Sequence, residues 1–389
     1  MARLRTRRGR PGPAAGWLLL LALVFLSACG LPPIRVGDDF GGAAHFIGLT
    51  NFSRFSRAAR ATPGEVVLMS PEVRTRFLWD DLVVSWNVRT PPGSGFKVEA
   101  RAIRGGRATR FYNLGLWAED TATGRRESVR GQKDDDGEVD TDTLVLRQRA
   151  GRLQLRITML GSDTAVLPGL RFLGLSFLDQ GPPRASRGGP RAVGRQDLKG
   201  LGRAKVLPVP ERSQRSYPGG RDWCSPTCVS MVLGYWAAVL GRPELDLDVP
   251  AVAAGVYDPN WPGTGNWPFN TALAGSRDGM RAYVTRLANE GDLQTLVSAG
   301  VPPVLSVSFD LLQGKTEDQG NGHLVVCAGF TAEGDMVVHD PWALVGKGET
   351  VRRVVPLGRV LRAWARSRQT VYLIYPESWP VPQDRSGRW

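Results

Sequence analysis

Apolar and polar residues alternate in short segments through residues 51–182. In the stretch RLQLRITML, for example, apolar residues at positions 153, 155, 157 and 159 alternate with polar ones. This period of two is typical of half-buried β-strands. Turn sequences such as TPPGSG, IRGGRA and KDDDGEVD separate the runs. We therefore predict an all-β sandwich over residues 51–182, packed by Trp86 and Trp117.

The pattern changes to helices followed by strands from residue 206. SPTCVSMVLGYWAAVLG predicts a helix that ends at Gly241, and GDLQTLVSAG predicts a short one. Between them, DGMRAYVTRLAN has four apolar residues at helical spacing and predicts another helix. The runs PPVLSVSFD, GHLVVCAGF, GDMVVHDP and TVYLIYP predict strands. Helices before an antiparallel sheet indicate an α+β domain over residues 206–380, with a tail at 381–389.

Three further segments lack apolar periodicity. Residues 183–205 are rich in Gly, Pro and Arg, which predicts a basic linker between the two domains. The acidic residues 134–142 do not fit the spacing of an EF-type calcium loop and predict a solvated turn. Residues 255–269 form a Gly/Pro-rich aromatic loop, either a structural loop or a wall of a substrate cleft.

The N-terminus has the pattern of an export signal. Five arginines precede a short apolar run from Trp17 to Leu26, which is too short for a comfortable membrane span. Leu26-Ser27-Ala28-Cys29 is similar to a bacterial lipobox. We predict a lipoprotein signal peptide at 1–28, a lipid on Cys29 and a tether at 29–50; the alternative is an ordinary signal peptide or anchor. The mature chain is therefore expected outside the cytoplasm, lipid-anchored to a bacterial membrane, or secreted if the lipobox is not used.

Charge and cysteine content limit the partners. The formal net charge is +13, and a chain that begins at Cys29 loses five arginines and no acid, which leaves +8. This favours anionic surfaces such as lipid headgroups or wall polymers. We find no nucleic-acid-binding motif and expect no nucleic acid partner. Besides Cys29 three cysteines remain, an odd number that argues against a disulfide-stapled scaffold.

The cysteines of WCSPTC have different expected roles. Cys224 lies at the predicted start of a helix, where unpaired N–H groups stabilise a thiolate. Cys228 lies one turn further along and is expected in the core. A disulfide between the two is geometrically awkward, and the chain has too few further ligands for a structural metal. The sequence therefore predicts Cys224 as a nucleophile, with no metal and no cofactor.

A histidine and an aspartate follow on neighbouring strands. His323 opens GHLVVCAGF and Asp340 closes GDMVVHDP. If Thr331–Gly334 form a four-residue turn, strand parity places the two side chains on one face as close neighbours. An odd turn would instead bring His339 to that face. His45 lies in the predicted tether and is not expected to take part.

These residues make a consistent hydrolytic site. Cys224 supplies the nucleophile, His323 the base, and Asp340 orients the histidine. An oxyanion hole requires the backbone N–H of Cys224 and a side-chain donor, for which Gln214 is the available amide.

Residues 206–376 also resemble a known family. Gln214, WCSPTCVSMVLGYW, GHLVVCAGF and HDPWA occur in the order typical of papain-like cysteine peptidases of the bacteriocin-leader (double-glycine) peptidase-like superfamily. In that family the first cysteine of the motif is the nucleophile. The resemblance thus implies the same roles for Cys224, His323 and Asp340, and a papain-like fold with an N-terminal helix packed on an antiparallel sheet.

Together these features predict an exported, lipid-anchored cysteine peptidase or amide hydrolase that works through an acyl-thioester on a peptide or protein substrate. One alternative is a non-catalytic surface protein in which the β domain binds wall polymer or a partner. A second alternative is a cell-wall amidase or transpeptidase with the same three site residues.

Overall fold

A computed structural model of the chain describes residues 34–35, 44–58, 64–161, 167–181, 204–382 and 387–389. The predicted signal peptide, Cys29 and all but the last two residues of the predicted linker lie outside these ranges. Among the described residues no helix is both long and apolar enough to cross a membrane. The strands of the N-terminal module are β1 (Ile34–Arg35), β2 (Ala44–Leu49), β3 (Ser56–Arg57), β4 (Glu65–Met69), β5 (Val73–Arg89), β6 (Ser94–Arg104), β7 (Arg107–Ala108), β8 (Tyr112–Trp117), β9 (Gly137–Asp140), β10 (Thr143–Gly161) and β11 (Gly169–Leu178).

The described strands of this N-terminal module form one hydrogen-bonded sheet, whose main path runs β2-β11-β5-β10-β4-β3. The long strand β10 pairs with β5 and β9 at its start and with β4 and β6 at its end. Register shifts between Val145 and Arg152 mark bulges, which let a long strand bend. The predicted all-β character is confirmed. The predicted sandwich of two separate sheets is not, because the shared long strands join them.

The tether prediction was wrong for its last residues. Ala44–Leu49, placed in the tether, form strand β2, which pairs with β11. His45 is buried there, between the rings of Phe77 and Phe177. His45, Phe46, Ile47 and Leu49 are buried, so this segment is part of the folded sheet and is not a solvated linker.

The predicted order of helices followed by strands holds only for the start of the C-terminal module, where three helices follow a two-residue strand; after that, strands and helices are mixed. Its elements are β12 (Lys205–Val206), α1 (Cys224–Leu240), α2 (Val249–Val256), α3 (Trp267–Ser276), β13 (Met280–Arg286), α4 (Glu290–Ser298), β14 (Val304–Ser308), α5 (Phe309–Leu312), β15 (Gly322–Phe330), β16 (Met336–His339), β17 (Arg352–Val355), α6 (Leu357–Ala365) and β18 (Thr370–Pro376).

An antiparallel sheet in the order β13-β18-β14-β15-β16-β17 forms the centre of this module, and α1 contacts β15. The predicted helix at α1 is confirmed, and Gly241 ends it in the left-handed conformation with a φ of 64°. Lys205, the last residue of the predicted linker, already pairs with Phe330 of the sheet.

The helix predicted over DGMRAYVTRLAN was wrong, because Met280–Arg286 form the edge strand β13. Nearly every residue of β13 is buried, so the sequence lacks the alternation that marks a half-exposed strand. Its second face is covered by the N-terminal module, where Phe46 stacks on Tyr283 with ring centroids 4.4 Å apart.

Strand β13 is also joined to the N-terminal module through its backbone. The side chain of Asn87 in β5 accepts the N–H of Ala282 at 3.1 Å and donates to its carbonyl at 2.6 Å. Ser85 accepts the N–H of Val284 at 2.9 Å. These hydrogen bonds pair backbone N–H and carbonyl groups on the edge of β13 that would otherwise have no partner.

The two tryptophans predicted to pack the β domain lie at the contact between the modules. Trp86 and Trp117 are buried and 6.5 Å apart, and Phe269 of α3 packs against both rings at 6.1 and 5.6 Å. The apolar core is therefore continuous from one module to the other.

Candidate active site

The thiol of Cys224 lies at the first residue of α1, after two 3₁₀ turns at Gln214–Ser216 and Gly220–Asp222. The first N–H groups of a helix have no acceptor within the helix, and they face this residue. Cys224 is partly exposed, whereas Cys228 and Cys327 are buried, and all three are free thiols. Burial raises the pKa of Cys327 to about 12 and that of Cys228 well above its ordinary value. Of these three thiols, only Cys224 can meet a substrate.

His323 joins the cysteine to Asp340. Its Nε2 lies 2.8 Å from Asp340 Oδ1, and the ring also hydrogen-bonds the Cys224 side chain, which leaves Nδ1 for the sulfur. Phe309 packs edge-on against the imidazole with centroids 5.2 Å apart. Burial disfavours the charged imidazolium, but the hydrogen bonds to Asp340 and Cys224 outweigh it and raise the pKa of His323 to about 9.

The pairing of His323 with Asp340 depends on a feature that the sequence did not reveal. The prediction of a four-residue turn was wrong. The Thr331 N–H donates to the Asp335 carbonyl at 2.9 Å, so the turn between them has three residues. The strands on either side pair Phe330 with Met336. Such a turn alone would place His323 and Asp340 on opposite faces.

A β-bulge restores the predicted parity. Gly329 pairs with Val337 but Cys327 pairs with Val338, so the intervening residue 328 has no partner of its own. The three-residue turn and the bulge each shift the register by one residue, and the two shifts cancel. His323 and Asp340 therefore share a face. His339 points away from them, and burial lowers its pKa.

Four donors hold the Asp340 carboxylate. Besides His323, these are the backbone N–H of Trp342 at 3.0 Å, Arg353 Nη1 at 2.6 Å and Gln313 Nε2 at 3.3 Å. Burial alone would raise the pKa of this carboxyl, but the charge and hydrogen bond of His323, the Trp342 N–H and Arg353 hold the pKa at about 2. Asp340 is thus ionised at any physiological pH.

Arg353 and Gln313 were not identified from the sequence. Arg353 lies in the edge strand β17 beside β16, and Gln313 immediately follows α5. Neither lies in a motif, and only the tertiary fold brings them to the carboxylate.

Gln214 lies beside Cys224 in the same cavity and is 1 % exposed. Its Nε2 donates to the carbonyls of Gly220 at 2.9 Å and Arg221 at 2.5 Å, while its Oε1 has no hydrogen-bond partner. Both amide hydrogens are therefore engaged. To donate to an oxyanion, the side chain would have to release one carbonyl.

A cavity of about 740 Å³ opens over Cys224 and His323. The loop 261–267 lines one side, including Trp261 and Trp267, so this aromatic loop is a wall of the cleft. Asn266 caps the helix that starts at Trp267, and Pro268 is its second residue. Both residues are helix-start signals that can be read from the sequence.

The N-terminal module contributes the turn Asp140–Thr143 to the same cavity. Among the described residues no cluster of acidic, histidine or cysteine side chains could hold a metal ion.

Two family models match the chain, one over each module. Residues 61–177 match the model of the Peptidase C39 N-terminal domain, and residues 206–372 match the model of the Peptidase C39-like family. No curated protein matches the chain.

Two solved structures are similar to the chain. A crystal structure from Bacillus anthracis assigned to the C39-like peptidases is 18% identical, with a TM-score of 0.34, and covers 44% of this chain and 98% of its own. Digestive procathepsin L 3 of Tenebrio molitor larval midgut is 13% identical, with a TM-score of 0.28, and covers 45% of this chain and 70% of its own. Both TM-scores lie below 0.5, and the family is identified from the two family models.

Proposed function

Since the chain belongs to the papain-like C39 peptidase family, we propose that it hydrolyses peptide bonds with Cys224 as the nucleophile. The observation that carries the proposal is the continuous series of hydrogen-bonded side chains from the cleft to the interior. It runs from the partly exposed Cys224 through His323 to the buried Asp340.

The proposed reaction has two stages. The Cys224 thiolate attacks the substrate carbonyl carbon, and the N–H groups at the start of α1 stabilise the oxyanion. His323 donates its Nδ1 proton to the leaving amine, and an acyl-thioester remains. Water then attacks the thioester, His323 takes a proton from it, and the acid leaves as Cys224 is regenerated. Asp340 keeps Nδ1 directed at the sulfur throughout.

Gln214 is the proposed side-chain donor of the oxyanion hole. It can act only if its amide exchanges a hydrogen bond to Gly220 or Arg221 for one to the oxyanion. Removal of one such donor typically costs about 100- to 1000-fold in kcat.

A thiol-directed electrophile tests the nucleophile. We expect wild-type protein to be labelled at neutral pH, Cys224→Ala to lose the label, and the matched variant Cys228→Ala to keep it. Hydrolysis of a peptide pool should be lost with the label. Equal labelling of both variants, or none in the wild type, would contradict the proposal and favour a non-catalytic binding protein. Transfer of the acyl group to an added amine in place of water would identify a transpeptidase.

We also propose that the chain is exported and lipidated at Cys29. The basic N-terminus, the short apolar run and the lipobox-like Leu26–Cys29 support this. Expressed in a bacterium, the wild type should incorporate labelled fatty acid and partition into detergent, as should Cys224→Ala. Retention of the fatty acid by Cys29→Ala would contradict the proposal.

A further inference from the structure

The turn between β9 and β10 brings part of the N-terminal module to the cleft. Asp140, Thr141, Asp142 and Thr143 line the cavity that contains Cys224. The buried carboxylate of Asp142 accepts the backbone N–H of Trp267, the first residue of α3, at 2.8 Å. This contact fixes the turn against the C-terminal module. The position of these four residues beside the nucleophile is therefore built into the fold.

This part of the cavity has many hydrogen-bond acceptors. Asp140, Asp142 and Asp222 line it, and Arg221 is its one lysine or arginine. Asp140 and Asp222 are exposed, and neither has an ion-pair partner among the residues that the structure describes. In a chain with a net charge of +13, two unpaired carboxylates at one opening are a local reversal of charge.

Gln214 adds a further acceptor to the wall of this cavity. Its side chain is buried in the wall of this cavity, and its Oε1 accepts no hydrogen bond. A buried acceptor without a donor is costly unless a ligand supplies one. The carboxylates and this amide oxygen thus share a requirement for N–H donors.

We propose that Asp140 and Asp222 form a subsite for a cationic substrate group, a protonated amine or guanidinium, close to the bond that Cys224 attacks. The proposal rests on the proposed function of Cys224 and adds a substrate class to it. The N-terminal module would then be part of the recognition of substrate. Charge-assisted hydrogen bonds of this kind change affinity by about tenfold.

Charged thiol reagents measure this subsite without requiring peptidase activity. The rates at which Cys224 reacts with trimethylammonium-ethyl and sulfonato-ethyl methanethiosulfonate are compared, each normalised to a free thiol. We expect the cation-to-anion rate ratio to fall about two- to fivefold for Asp140→Asn or Asp222→Asn and further in the double variant. Asp135→Asn is the matched control, because Asp135 belongs to the same acidic run but does not line the cavity. A ratio unchanged in the double variant would overturn the proposal.

A binding measurement decides the case in which Cys224 does not react. Cys224→Ala protein is titrated with one peptide carrying either lysine or acetyl-lysine. We expect the lysine peptide to bind about tenfold more tightly and the difference to disappear with Asp140→Asn/Asp222→Asn. Equal affinities for the lysine and acetyl-lysine peptides would overturn the subsite, whether or not Cys224 is reactive. A preference for lysine in a protein whose Cys224 does not react would refute only the proposed catalysis.

Discussion

At the scale of single residues, Asp340 favours the protonated form of His323. Four donors satisfy its carboxylate, so it stays ionised and stabilises the imidazolium in a buried position. Without the carboxylate, burial would be the largest remaining influence and would favour neutral imidazole. The positive charge of His323 therefore depends on Asp340 together with the hydrogen bond to Cys224.

The titration of His323 tests this dependence. In wild-type protein we expect the midpoint near pH 9, and in Asp340→Asn we expect it to be lower, because the raising contribution of the carboxylate is lost while burial remains. The chain has three histidines, so ring resonances can be assigned by NMR. Asp278→Asn, which removes an exposed carboxylate paired with Arg89, should leave the midpoint unchanged. A midpoint that stays near 9 without the carboxylate would contradict the explanation.

Stability should follow the same titration. The folded pKa of His323 lies above its unfolded value, so its contribution is complete below about pH 6.5 and is lost as the pH rises towards 9. The unfolding free energy of the wild type should therefore fall across this range, and the slope should be smaller in Asp340→Asn.

The sequence predicted Cys224, His323 and Asp340 because each lies in or beside a short motif with recognisable element boundaries. It did not predict Arg353 or Gln313. Both reach Asp340 from segments whose own residues carry no signal, and their position is fixed only by the pairing of β17 with β16 and by the packing of α5 on β14 and α6.

At the scale of elements, the bulge in β15 decides which side chains share a face. A bulge is not visible in the alternation of a fully buried strand, because both faces of GHLVVCAGF are apolar. The correct pairing was thus predicted from a turn length that was wrong. Gly329, which follows the bulge, approaches another backbone: an added Cβ would lie 2.1 Å from the Lys205 carbonyl oxygen of β12.

Substitution of this glycine tests the importance of the close contact. Gly329→Ala must displace the backbone of β12 and should lower the free energy of unfolding by about 1–3 kcal/mol. Gly322→Ala in the same strand is the matched control, since an added Cβ there meets no atom within 4 Å, and it should change stability by less than about 0.5 kcal/mol. Chemical denaturation of both variants measures the difference. Equal stabilities would show that β12 yields without cost.

At the scale of the whole molecule, the N-terminal module completes the C-terminal one. It covers the outer face of β13, supplies Asn87 and Ser85 to its free edge, and packs two tryptophans around Phe269. This explains why the sequence of β13 predicted a helix. Its burial is imposed by residues far away in the chain, such as Asn87, which lies 195 positions before Ala282. Local periodicity cannot contain such information.

Asn87 provides the sharpest test of this interdependence. Asn87→Ala leaves the N–H and the carbonyl of Ala282 buried without partners, so we expect a loss of about 2–4 kcal/mol in the free energy of unfolding. Arg89→Ala is the matched control on the same strand. Its ion pair with Asp278 also joins the modules, but the side chains are 61% and 74% exposed, so the loss should stay below about 1 kcal/mol.

The number of unfolding transitions also tests whether the two modules fold together. Because the core and the edge of β13 are shared, far-ultraviolet circular dichroism and tryptophan fluorescence should report one coincident transition, which Asn87→Ala moves as a whole. Two transitions in the wild type, only one of them shifted by the substitution, would mean that the modules fold independently. In that case the turn Asp140–Thr143 would not be held at the cleft by the fold, and any selection of substrate by that turn would depend on docking of the N-terminal module.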